Sequence, residues 1–108
     1  MQKLTVRNLD LPEKQIAGFC RRWRISEFAL FGSVLRDDFD PESDLDVLVT
    51  FAADADWSLL DHVRMEQELS TLLGRRVDLL SRQSVERSHN WIRRQEILDT
   101  ARVVYASR

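Results

Sequence analysis

The chain has 108 residues, 44% hydrophobic and 31% charged, with a net charge of −2. That length predicts one domain with enough surface to bury one core, and the slight negative balance argues against direct nucleic-acid binding. The single cysteine, Cys20, excludes an internal disulfide and has no metal-ligand spacing around it, so a reducing, cytoplasmic setting is expected. No apolar stretch approaches the roughly 18 residues of a membrane span, and residues 1–7 lack the apolar core of a signal peptide.

Taken in chain order, Pro12 suits a first helical turn, and Ile16, Phe19, Cys20 and Trp23 recur at helical spacing, which predicts a helix over 12–23. Glu27-Phe28-Ala29-Leu30-Phe31 is a short apolar strand stopped by Gly32. Ser33 is a good N-cap, so a short helix is expected over 33–37. Pro41 and its acidic neighbours mark 38–43 as loop. Residues 45–51, Leu-Asp-Val-Leu-Val-Thr-Phe, read as a central strand covered on both faces.

A long helix follows over 57–73, closed by Gly74. Its inward stripe is His62, Met65, Leu69, Leu72 and Leu73, with Asp61, Arg64 and Glu68 on the wet face. A third strand covers 76–80. One or two helical turns are expected within 85–99, then a last strand over 101–105. The order α-β-α-β-α-β-α-β predicts an α/β (α+β) fold, with a small mixed sheet of about four strands flanked by helices.

The chemistry-bearing residues cluster in two places. The sharp Gly32-Ser33 turn at a strand end offers backbone N–H groups to a phosphate, or is an ordinary strand-to-helix turn. Asp44 and Asp46, two apart on a strand, point to one side. Asp78 stands inside the apolar run Val77-Asp78-Leu79-Leu80, where an uncompensated carboxylate is costly. Its structural explanation is an ion pair with a neighbour such as Arg75. Three carboxylates aimed at one spot repel one another, and a divalent cation reverses the sign; hard oxygen ligands suit Mg²⁺. Arg36, one turn after Ser33, contacts phosphate or braces the 38–43 loop. His62 reads as a packed or edge histidine and His89 as a surface residue. Trp23, Trp57 and Trp91 read as core or interface anchors. Arg93-Arg94 reads as a solvated helix face, with partner docking as its alternative.

The pattern Gly32-Ser33-Val34-Leu35-Arg36, then Asp44-Leu45-Asp46 after ten intervening residues, resembles the signature of the minimal nucleotidyltransferases of the DNA polymerase β-like superfamily. The resemblance continues through Leu72-Leu73-Gly74-Arg75-Arg76-Val77-Asp78 to the closing Val103-Val104-Tyr105 and covers nearly the whole chain. Two positions depart from the family pattern: Asp37 stands where the family often has glycine, and Asn90-Trp91 replaces Asn-Pro-Tyr.

The resemblance implies a nucleotidyltransferase fold and a Mg²⁺-dependent antitoxin enzyme. Such a protein transfers AMP from ATP to a tyrosine of a HEPN-type RNase toxin and forms a complex with that toxin. It implies that Gly32, Ser33 and Arg36 lie at the nucleotide, and that Asp44, Asp46 and Asp78 hold two Mg²⁺ ions and carry the catalysis. The alternatives are an inactive antitoxin that acts by binding alone, and a nucleotidyltransferase for a small-molecule or RNA acceptor. A protein acceptor requires an open site, expected at the carboxyl end of the Asp-bearing strand.

Overall fold

A computed structural model describes residues 3–6, 9–32 and 44–107. Ser33, Arg36, Asp37 and the helix and loop expected over 33–43 lie outside the described residues.

The chain begins with an antiparallel pair, β1 (Lys3–Val6) and β2 (Leu9–Pro12), which composition alone did not suggest. Leu11 buries its side chain in the main core with Ile16 and Phe19 of α1 (Glu13–Arg22), which holds the pair against the rest of the fold. Pro12 is the N-cap of α1, one position before its first turn. Arg24, at φ 56°, turns the chain into β3 (Ile25–Phe31).

The larger sheet has four strands in the order β5-β4-β3-β6 and is mixed. β4 (Leu45–Phe51) lies antiparallel to β3, as does β6 (Arg102–Ala106) on the other side of β3. β5 (Val77–Ser81) runs parallel to β4. A parallel pair needs a crossover connection, and α2 (Leu59–Leu73) supplies it. Its ends are set by short-range chemistry. Ser58 caps the start in a reciprocal box with Asp61, and Gly74 closes the end at φ 68°.

β3, β4 and β5 divide their side chains between two clusters. Leu45, Val47, Val49, Phe28, Leu30, Val77 and Leu79 face α1 and α2 and form the main core with Phe19, Met65 and Leu69. Ala29, Phe31 and Leu48 face the other way, onto Val85 and Ile97. Burying each large apolar side chain is worth about 1.5–3 kcal/mol, so both faces contribute. The second face is covered by α3 (Arg82–Glu86) and α4 (Trp91–Thr100). These helices are longer in sum than the one or two turns expected, because Ser81 and Asn90 each cap a helix by accepting a backbone N–H bond, at 3.1 Å in both cases.

Trp23 and Trp57 meet edge to face at 5.1 Å against the main core, and the Trp57 indole donates to the Trp23 carbonyl at 2.9 Å. Trp91 is not a core anchor: it is 64% exposed at the start of α4. Cys20 is fully buried, and burial pushes its thiol up to about 12, with the Arg21 charge opposing. No helix among the described residues is long and apolar enough to cross a membrane.

His62 has a more specific role than packing. β5 is an edge strand, and the outward backbone groups of an edge strand need partners. Three α2 side chains at four-residue spacing supply them. The His62 Nε2–H donates to the Leu79 carbonyl at 2.8 Å. Glu66 Oε2 accepts from the Leu79 N–H at 2.9 Å, and Ser70 Oγ accepts from the Val77 N–H at 3.1 Å. The helix thus occupies the place of a fifth strand. Glu68, expected to be solvated, instead pairs with Arg22 and accepts from the Trp23 indole at 3.3 Å.

Candidate functional site

The site is assembled from the amino end of β4, the carboxyl end of β3 and the start of β5. Antiparallel pairing sets Phe31 of β3 opposite Asp46 of β4, which brings Gly32 beside that carboxylate. Parallel pairing sets Asp78 of β5 opposite Asp46 on its other side. The Leu45 N–H donates to the Arg76 carbonyl at 2.9 Å and fixes the start of that ladder. Alternation along the strand turns Leu45 and Val47 into the main core and leaves Asp46 on the opposite face with Leu48. The same alternation places Asp78 with Leu80 on that second face.

The acids therefore sit at the amino end of β4, not at its carboxyl end as expected. Asp44 precedes β4 and Asp46 is its second residue, so strand order alone puts them there; the antiparallel β3–β4 pairing brings the turn after β3 to the same end of the sheet. A cavity of about 450 Å³ does lie at the carboxyl end of β4, among Thr50, Trp57, His62 and Arg82, but it contains none of the expected site residues.

Gly32 has φ 76°, a left-handed conformation that a side chain disfavours. A Cβ built there would overlap Asp46 Oδ2 and stand 3.2 Å from Asp46 Cγ. The backbone angle favours glycine, and any side chain there would also have to turn the Asp46 carboxylate aside. The side chains divide between two depressions. Asp46 faces a crevice of about 300 Å³ with Phe31, Gly32 and the α4 residues Arg93, Glu96, Ile97 and Thr100. Asp44 and Asp78 line an open groove beside α2, with Glu66, Ser70 and Arg76. Asp78 makes no ion pair with any described residue, so a structural pairing with Arg75 does not explain it.

The donor set is one that Mg²⁺ favours, because carboxylate oxygens are hard ligands. The register places Asp46 and Asp78 on adjacent strands, and the absence of a Cβ at Gly32 lets the Asp46 carboxylate lie against the backbone there. The three carboxylates do not converge on a single point in their present rotamers: among the described residues no three His, Cys, Asp or Glu side chains form a metal cage. Asp44 is exposed, and Asp46 and Asp78 are partly so. Each has alternative staggered rotamers available. Of the residues expected at the nucleotide, Gly32 stands beside Asp46, whereas Ser33 and Arg36 lie outside the described residues.

Arg93 lines the candidate site, which its sequence neighbourhood does not reveal. The pair Arg93-Arg94 reads as a solvated face, but the two side chains do different work. Arg94 is half-buried and donates to the Ser88 carbonyl at 3.1 Å, bracing the turn between α3 and α4. Arg93 lines the Asp46 crevice. The signal was its helical phase, since Arg93, Ile97 and Thr100 fall on one face, and Ile97 is buried beneath the sheet.

Residues 12–104 match the model of the nucleotidyltransferase domain. The chain belongs to that family. The "putative protein adenylyltransferase MJ0435" of Methanocaldococcus jannaschii is 33% identical over 72% of this chain and 82% of its own length. The protein adenylyltransferase MntA of Thermococcus cleftensis is 38% identical over 60% of this chain and 64% of its own length. Among solved structures, a toxin–antitoxin complex with AMP-PNP superposes with a TM-score of 0.68 at 22% identity, over 91% of this chain and 76% of that one. The MNT antitoxin in complex with tri-AMPylated HEPN toxin of Shewanella oneidensis superposes with a TM-score of 0.59 at 23% identity, over 88% of this chain and 70% of that one. These two likenesses establish the mixed four-stranded nucleotidyltransferase fold.

Proposed function

We propose that this chain is a protein adenylyltransferase antitoxin, which transfers AMP from ATP to a tyrosine of a cognate HEPN-type toxin. The observation that carries this reading is the meeting of Gly32, Asp46 and Asp78 at one end of the sheet. Strand pairing sets the end of β3, Asp46 of β4 and Asp78 of β5 side by side although they are distant in sequence, which supports a nucleotidyl-transfer reading. Kinship with MntA supports a protein acceptor. The open groove at Asp44 and Asp78 supports it too, because a tyrosine from another protein can reach that groove.

In the reaction, the tyrosine oxygen attacks the α-phosphorus of ATP. The bond from that phosphorus to the bridging oxygen breaks, and pyrophosphate leaves with the electron pair. Asp78 takes the phenolic proton. Gly32 admits the triphosphate beside Asp46, and Ser33 and Arg36 hold its phosphates. Asp44, Asp46 and Asp78 would hold two Mg²⁺ ions, which neutralise the triphosphate when bound. Positioning and charge compensation supply most of the rate in phosphoryl chemistry of this kind. A reaction that consumes ATP supports a cytoplasmic setting.

The test is intact-mass spectrometry of the toxin after incubation with this protein, ATP and Mg²⁺, paired with a growth assay. The expected result is the addition of one or more AMP units, lost in the Asp44→Ala/Asp46→Ala variant together with protection. A double variant that protects as well as the parent overturns catalysis in favour of neutralisation by binding alone.

A further inference from the structure

The crevice beside Gly32 holds more than the acid signature. Among the described residues its lining carries two carboxylates, Asp46 and Glu96, and one cation, Arg93. Arg93 lies one helical turn before Ile97, whose side chain is buried under Phe31 and Leu48 and fixes the rotation of α4. That rotation holds the Arg93 stem over the carboxyl end of β3. The Arg93 guanidinium makes no ion pair or side-chain hydrogen bond with any described residue, whereas its neighbour Arg94 is committed to the Ser88 carbonyl. An exposed, uncommitted guanidinium at the rim of an acidic crevice has a clear electrostatic use. It offsets the charge of an anion that the carboxylates alone would repel, and its planar fork matches phosphate oxygens two at a time.

We propose that Arg93 binds the β- and γ-phosphates of the nucleotide. The inference rests on the adenylyl-transfer reading above. Transfer requires the α-phosphorus between the Asp46 crevice and the Asp78 groove, at the amino ends of β4 and β5. The remaining negative charge, that of the future pyrophosphate, then falls toward the crevice rim, where Arg93 is the cation contributed by α4. The same contact stabilises pyrophosphate as it departs, and it distinguishes ATP from AMP, which has nothing to present to Arg93.

The experiment is calorimetric titration of the purified chain with ATP, AMP and pyrophosphate, each with Mg²⁺. It compares the parent with Arg93→Gln, Arg93→Lys and Arg87→Gln; Arg87 is an exposed arginine at the end of α3, outside the crevice. Arg93→Gln should weaken ATP and pyrophosphate by about tenfold or more, the scale of a lost charge-assisted pair. AMP affinity should stay within about twofold. Arg93→Lys should recover part of the loss, and Arg87→Gln should change nothing. Melting curves of the variants should match the parent, because the Arg93 side chain holds no described group in place. Unchanged ATP affinity in Arg93→Gln, or equal losses for ATP and AMP, overturns the assignment and leaves the functional reading intact. A parent that binds neither ATP nor AMP with Mg²⁺ overturns both.

Discussion

Gly32 and Asp46 occupy the same few ångströms from two antiparallel strands, so closely that position 32 has no room for a methyl group beside the Asp46 carboxylate. Gly32→Ala meets two penalties. The left-handed backbone angle costs about 1–2 kcal/mol for a residue with a Cβ, and the carboxylate must also be displaced. The expected loss of stability in urea denaturation is therefore at the top of that range or above it. Asp46→Ala removes the second penalty, so the double variant should lose less than the sum of the singles. Strict additivity in the cycle would show that the carboxylate is free to swing away.

Asp78 faces Asp46 across the parallel ladder. Like charges on adjacent strands destabilise by about 0.2–1 kcal/mol. Asp78→Asn should therefore leave the metal-free protein as stable as the parent or up to about that much more stable, while adenylyl transfer falls. Thermal melts in the presence of a chelator check the first half. A clear loss of stability would mean that Asp78 serves the fold rather than the site.

Glu66 takes the place of a neighbouring strand at the Leu79 N–H. Glu66→Ala removes an acceptor that carries charge, a bond of about 1.5–3 kcal/mol. Part of that is recovered where water reaches the edge. Glu66→Gln keeps a carbonyl oxygen in position and should lose less. Hydrogen exchange at the Leu79 amide is the direct measurement: protection should fall in the order parent, Gln, Ala.

Asp61 accepts hydrogen bonds from the backbone and side chain of Ser58, which hold its carboxyl below the usual 3.8. Its proton binds more tightly in the unfolded chain, so the contribution to stability is present above the ordinary carboxylate range. It is lost as pH falls through the lowered folded value. Acid unfolding followed by circular dichroism should begin at higher pH in Ser58→Ala than in the parent. Asp61→Asn should flatten the stability profile below pH 4. Superimposable acid transitions for all three proteins would remove the capping box from the account.

The one-dimensional pattern carried a good deal. β4 was legible residue for residue from its apolar, β-branched run, and α2 was bounded by Gly74 at its end because caps and propensities act over a few residues. The spacing of Gly32, Asp44, Asp46 and Asp78 identified the family. The first strand pair escaped notice because it is short, and its Leu11 anchor is explained only by contact with α1.

Only the tertiary structure decided that Gly32 and Asp78 come to the same end of the sheet as Asp46, since strand direction and register follow from pairing between distant segments and not from local preference. Packing likewise made His62 and Glu66 substitutes for a strand, though nothing in their own neighbourhood distinguishes them from other helix residues. It separated Arg93 from Arg94, adjacent and chemically identical, by rotating α4 about a buried Ile97. The physical reason is common to all three. Identity and spacing determine which groups a chain can present, whereas the burial of apolar faces on both sides of the sheet determines where those groups meet.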